Sequence, residues 1–261
     1  MALHANTTGS FNTASGDHAL FGNNVGVQNT ANGAEALFSN TTGAANAANG
    51  YSALYYNASG SNNTANGALA LYSNTNGANN TANGYQALYR NTSGGANSAN
   101  GAAALYNNTL GSNNTASGYQ GLYANTSGNY NVANGSEALF LNLSGSHNVA
   151  NGNAALSNNT SGSYNTASGD VGLLQNTTGT SNTAAGASAL FANTTGANNV
   201  ADGAGALYGN AIGNKNVAIG AQALYNNNAD NNTANGAAAL FNNTLGSNNT
   251  ASLNFHGTGL P

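Results

Sequence analysis

Four histidines (His4, His18, His147, His256) and six acids (Asp17, Glu35, Glu137, Asp170, Asp202, Asp230) are the residues of this chain able to move protons or ligate a metal. For zinc hydrolysis two histidines must share one helix face, and for acyl transfer a serine must sit on a tight strand-to-helix elbow. Neither pattern surrounds these residues. A glycosidase needs two carboxylates facing each other across the scissile bond; Asp17 and Glu35 come closest, and no other stretch carries the pair. A calcium-binding roll needs acids in every turn, and they are missing. Cysteine is absent, which removes thiolate metal sites and disulfides alike. The expectation is a non-enzyme with no catalytic residues, no cofactor and no metal.

What the chain does have is repetition. The segment Asn-x-Ala-x-Gly returns every seventeen residues, its glycine falling at Gly16, Gly33, Gly50 and onward to Gly220, then at Gly236 after one single-residue deletion. The unit is N-T-A-N-G-x-x-A-L-Y-x-N-T-x-G-x-N. A leucine recurs at Leu3, Leu20, Leu37, Leu54, Leu71, Leu88, Leu105 and their successors, with an asparagine three residues after each, from Asn6 and Asn23 to Asn243. A second asparagine row runs through Asn12, Asn29, Asn63, Asn80 and Asn114, and the alanine two residues further never changes. A fixed period of this length is the signature of a solenoid, in which each unit is one coil stacked on its neighbours. Disorder gives no reason to hold leucine and asparagine in register.

Glycine makes up 36 of 261 residues, and with so much Asn and Thr a helix is disfavoured. Alternation with a period of two fits short strands: Asn12, Ala14 and Gly16 on one face, Thr13 and Ser15 on the other. The fold expected is all-β, a parallel β-roll of about fifteen coils over 1–252, with 253–261 as a cap or docking tail. At ~4.8 Å per coil that predicts a rod of roughly 70 Å. Small inward Ala and Gly predict two thin walls close together, with Leu20, Leu37, Leu54, Leu88 and Leu105 supplying the apolar ladder between them. The buried asparagines are expected to donate to the amide of the next coil, as in cross-β ladders, or to satisfy turn groups. Gly9, Gly26, Gly43, Gly60 and Gly77 are assigned to a corner that requires positive φ.

Charged residues are 3% of the chain against roughly 25% in a typical soluble domain, and only Arg90 and Lys215 are basic. With no basic face to neutralise phosphates, nucleic acid is not an expected partner. No run approaches the ~18 apolar residues of a membrane span, and no signal-peptide pattern is present.

If leucine points inward, the residue after it points outward. Phe21, Phe38, Tyr55, Tyr72, Tyr89, Tyr106, Tyr123 and Phe140 are therefore expected as an exposed stripe, of the kind that marks a protein contact; packing against the next coil's corner is the other reading. Unpaired strand edges at the ends of an open solenoid need cover. Leu253 and Phe255 at one end, and Leu3 at the other, are the residues expected to dock end to end, giving a head-to-tail filament of copies of this chain or a piece of a longer fibre.

Runs such as Asn80-Thr81-Ala82-Asn83-Gly84-Tyr85-Gln86-Ala87-Leu88-Tyr89 followed by Asn91-Thr92-Ser93-Gly94 resemble the seventeen-residue repeats of phage tail fibres and of bacterial surface proteins that end in an endosialidase-type chaperone domain. Asn216-Val217-Ala218-Ile219-Gly220 is similar to the repeat of YadA-like heads of trimeric autotransporter adhesins. The resemblance implies a left-handed β-roll, commonly a homotrimer, displayed outside the cell or on a virion. Adhesin heads pack Val and Ile at the trimer axis, where most copies here carry Thr and Asn or Ser. The Asn-x-Ala-x-Gly unit is also similar to that of grass ice-binding rolls, but the row Thr13, Thr30, Thr64, Thr81, Thr115 and Thr166 is interrupted by Ala47, Ser98, Val132 and Val149. A structural, self-associating fibre protein used for attachment is the function expected, with ice binding or an adhesin head as alternatives.

Overall fold

The structure, a computed structural model, describes residues 1–253. It comprises two compact units, Met1–Asn148 and one beginning at Val149. The first contains β1 (Thr13–Ser15), β2 (Thr30–Asn32), β3 (Ala47–Asn49), β4 (Thr64–Asn66), β5 (Thr81–Asn83), β6 (Ser98–Asn100), β7 (Thr115–Ser117) and β8 (Val132–Asn134). The second contains β9 (Val149–Asn151), β10 (Thr166–Ser168), β11 (Thr183–Ala185), β12 (Val200–Asp202), β13 (Val217–Ile219), β14 (Thr233–Asn235) and β15 (Thr250–Ser252). Within each unit every strand pairs in parallel with the next, so each is an all-β solenoid with one strand per coil.

Register follows the repeat residue for residue. Thr13 faces Thr30, Ala14 faces Ala31 and Ser15 faces Asn32; in the second unit Thr166 faces Thr183 and Ala167 faces Ala184. A parallel ladder with identical partners leaves no room for slippage, since a one-residue shift would turn every alanine outward. Ala31, Ala48, Ala65 and their successors as far as Ala234 are fully buried while both neighbours in each strand keep solvent contact. Leu20, Leu37, Leu54, Leu71, Leu88 and Leu105 are 0% exposed, as are Leu156 to Leu224 in the second unit. Each such leucine contributes about 1.5–3 kcal/mol by leaving water.

Only one wall of each coil is a strand. The leucine-bearing wall is built of turns in which the leucine and the residue two before it are both left-handed, as at Ser52 (φ 50°) and Leu54 (φ 53°). Right-handed helix needs an unbroken run of negative φ, and this alternation denies it. The segment stays flat enough for two of its amides to reach the neighbouring coil: Leu20 N donates to Ala36 O at 2.9 Å and Gly22 N to Phe38 O at 2.8 Å. A third left-handed residue stands just before the strand asparagine, as at Gln28 (φ 59°) and Asn62 (φ 58°). Intercoil bonding is therefore present on both of the walls, by two different backbone conformations.

The glycine assignment is corrected. Positive φ belongs to the glycine that closes the strand, as at Gly33 (φ 137°) and Gly50 (φ 140°), and not to the Gly9 and Gly26 row. Because it turns the corner there, this glycine does not share the strand's inward face; Gly33 and Gly50 are half-buried. Gly26 is needed for a different reason. A Cβ on it would lie 2.5 Å from Asn23 Oδ1, 2.5 Å from Gly43 O and 2.6 Å from Asn40 Nδ2, so the asparagine row itself occupies the space.

Candidate functional site

The two buried asparagine rows join each coil to the next. In the row three residues after leucine, Asn40 Nδ2 donates to Asn23 Oδ1 at 2.7 Å, Asn57 to Asn40 at 2.8 Å and Asn74 to Asn57 at 2.7 Å. The second amide hydrogen goes to a corner carbonyl, as from Asn40 to Gly43 O at 3.0 Å. Ladder and turn roles thus operate in the same side chain. The direction differs from expectation: each amide donates to the preceding coil, because its other hydrogen is fixed by the glycine carbonyl in its own coil.

The strand row works similarly with one more bond. Asn12 Oδ1 accepts from Asn29 N at 2.9 Å, and Asn29 Oδ1 from Asn46 N at 3.0 Å, while Asn29, Asn63, Asn80 and Asn114 each donate to a glycine carbonyl fourteen residues on at 2.8–2.9 Å. Among the described residues no buried side-chain nitrogen or oxygen lacks a partner. In a low-dielectric interior such completeness decides whether polar rows stabilise or destroy the core. The second unit repeats the pattern, with Asn176 donating to Asn159 at 2.7 Å and Asn193 to Asn176 at 2.7 Å.

The single-residue deletion falls at the corner between the two rows. Asn227 Nδ2 donates to Ala229 O at 2.9 Å, two residues on where other coils use the third, and its bond back to Asn210 Oδ1 is kept at 3.1 Å. Both rows pass through the shortened coil.

A third row lay outside the sequence reading. Asn32 donates to Asn49 Oδ1 at 2.9 Å, Asn49 to Asn66 at 2.8 Å, Asn66 to Asn83 at 2.8 Å and Asn83 to Asn100 at 2.7 Å. It is largely exposed and runs the other way, toward the following coil. Its signal was present in the second Asn of the Asn-Thr-Ala-Asn-Gly segment, which alternates with Ser elsewhere and so did not stand out.

The aromatic row forms one column. His4, Phe21, Phe38, Tyr55, Tyr72, Tyr89, Tyr106, Tyr123 and Phe140 stack ring on ring with centroids 4.9–5.2 Å apart. Each ring covers the faces of its neighbours, so all eight expected aromatics are half-buried and present edges rather than faces. His4 holds an aromatic place in the first coil, which composition alone did not reveal. In the second unit Phe191, Tyr208, Tyr225 and Phe241 form a shorter column at 4.9–5.0 Å. Burial, with help from the neighbouring Tyr56 hydroxyl, pushes the Tyr72 phenol up to about 12. Burial also raises Tyr106, against the opposing charge of Arg90, whose guanidinium sits 5.8 Å from that ring.

The titratable residues gather little. His18 lies 2.9 Å from Asp17, and this hydrogen bond lowers the exposed Asp17 carboxyl. Glu35 accepts from Ser52 Oγ at 2.9 Å. Among the described residues no three of His, Cys, Asp and Glu come together, and no helix is long and apolar enough to cross a membrane. His256 and Phe255 lie outside the described residues. Of the other two residues expected at the ends, Leu3 is half-buried and Leu253 is 50% exposed, its amide donating to Asn235 O at 2.8 Å. The repeat register thus holds to Leu253. Comparison of the chain with protein-family models, with curated proteins and with solved structures gives no match.

Proposed function

We propose that the protein is a structural fibre subunit that works by stacking coil on coil with further copies of itself, displayed outside the cell or on a virion and used for attachment or matrix. The observation that carries this reading is the polarity of the buried asparagine rows. The bonds from asparagine to asparagine in them are donated toward the amino-terminal side, as from Asn40 to Asn23 and from Asn46 N to Asn29, so the two ends of a stack differ in chemistry. At the first coil Asn6 Nδ2 donates to Gly9 O at 2.9 Å and to no other described residue. At the last strand Asn249 Oδ1 accepts no bond among the described residues, while Asn249 N is held by Asn232 Oδ1 at 2.9 Å. Donors at one end and acceptors at the other, in the same register, suit head-to-tail addition of identical chains, a contact that does not close on itself. A largely uncharged surface adds little repulsion between copies. A homotrimeric shaft is the alternative arrangement of the same role.

Electron microscopy with mass determination in solution tests it. Filaments that lengthen with concentration support end-on stacking, and discrete trimers support the shaft. A stable monomer at high concentration, with thermal hysteresis near freezing, would replace the fibre reading by ice binding through the threonine row.

A further inference from the structure

The repeat position two residues before the leucine carries a side chain in every coil but one. His18, Glu35, Ser52, Gln86, Val171 and Ser188 stand there; at Gly205 there is none. In the same stretch the position after the strand glycine holds Ala187, Ala204 and Ala221, where other coils place the exposed Tyr51, Tyr85 and Tyr119. The two gaps adjoin and open a shallow groove of about 460 Å³ within the second unit, with Tyr208 and Tyr225 along one side and Ser188 and Gln222 at its rim. No charged side chain lines it.

The rings determine what fits. Tyr208 and Tyr225 are stacked at 4.9 Å with 3° between their planes, so their faces are covered by each other. The space above Gly205 is bounded by Tyr225 Cε2 and Cδ2, at 3.4 and 3.6 Å from where a Cβ would stand. The groove therefore presents ring edges, the electropositive rim of the π system, above an apolar alanine floor. A sugar prefers an open ring face and many hydrogen-bonding side chains, and here the rings offer edges, with one serine and one glutamine. A planar uncharged aromatic molecule, its electron-rich face lying over the row of edges, matches the shape, the polarity and the missing charge. We infer that the groove at Gly205 is a binding site for a flat, neutral aromatic ligand, independent of how copies of the chain assemble.

The repeat supplies conservative tests. Gly205→Gln installs the side chain that Gln222 carries in the next coil at φ 57°, close to the 65° of Gly205, so the backbone accepts it. Ala204→Tyr installs the residue of the equivalent position in other coils. Full-length protein is titrated with 2-naphthol, followed by its fluorescence, with methyl glucoside as the comparison. The expected result is saturable binding of one naphthol per chain, weakened about tenfold or more by each variant at unchanged thermal melting. Equal affinity in wild type and both variants, no saturable binding in wild type, or saturable glucoside binding without naphthol binding would each overturn the assignment.

Discussion

Asn74 is the most informative single residue to alter, because the consequences of its removal can be followed atom by atom. It is fully buried; its Nδ2 donates to Asn57 Oδ1 at 2.7 Å and Gly77 O at 2.9 Å, and its Oδ1 accepts from Asn91 Nδ2 at 2.7 Å. Asn74→Leu keeps the branching at Cγ, adds some bulk and removes all three bonds. Gly77 O keeps a donor in Asn63 at 2.8 Å, but Asn57 Oδ1 loses the amide it accepted from and one hydrogen of Asn91 loses its acceptor. Two buried polar groups stranded at about 1–3 kcal/mol each give a loss of roughly 2–6 kcal/mol, offset in part by burial of the leucine. The exposed Asn6 has a ladder bond on one side only, from Asn23 at 2.9 Å, so Asn6→Leu should cost below about 1.5 kcal/mol. Urea unfolding followed by circular dichroism measures both. Equal midpoints for the two variants, or no change in Asn74→Leu, would refute the claim that complete pairing of the buried row holds the coils together.

Other outcomes follow from the same geometry. Leu105→Asp places an unpaired charge where exposure is 0% and should lose several kcal/mol, and Leu105→Ala about 2–5 kcal/mol; unchanged melting would remove the leucine row from the core. Gly26→Ala should destabilise far more than Gly22→Ser, because Ser39 already fills the position of Gly22 in the next coil, whereas a Cβ at Gly26 meets the buried amides of Asn23 and Asn40; thermal melts of the pair decide it. The Tyr72 phenol, held up to about 12, gives a defined alkaline response. Below pH ~10 it is protonated in folded and unfolded chains alike; between ~10 and ~12 only the unfolded chain loses the proton, so stability is intact below ~10 and falls as pH rises toward ~12. Spectrophotometric titration of Tyr72→Phe against wild type should show the loss of one late-ionising phenol.

The sequence made the fold legible wherever one side chain has one answer. Leucine in a thin interior and asparagine in a fully paired row admit no substitute, so both recur and both could be read. The left-handed positions could not, since His18, Glu35, Leu69 and Val171 share one backbone conformation with nothing in common chemically. There the conformation is imposed by bonds to the neighbouring coils and leaves no mark on residue type. Gly26 and Gly33 show a related ambiguity: both are required to be glycine, one by crowding and one by φ, and composition does not distinguish the causes. The aromatics are visible in the sequence as a row beside leucine, but whether neighbouring rings stand apart or close on each other depends on coil spacing, which is a property of the stack.

Three left-handed non-glycine residues in nearly every coil bear on how such a chain acquires its shape. Each conformation costs on the order of 1–2 kcal/mol taken alone, so one coil by itself has no reason to adopt it. A second coil laid against a finished one finds its carbonyls and asparagine oxygens already arranged, and its own strained residues are then offset by the bonds they make. Folding is therefore slow to begin and rapid to continue, in the manner of a crystal growing from a seed, with the exposed surface of the newest coil serving as the template for the one that follows.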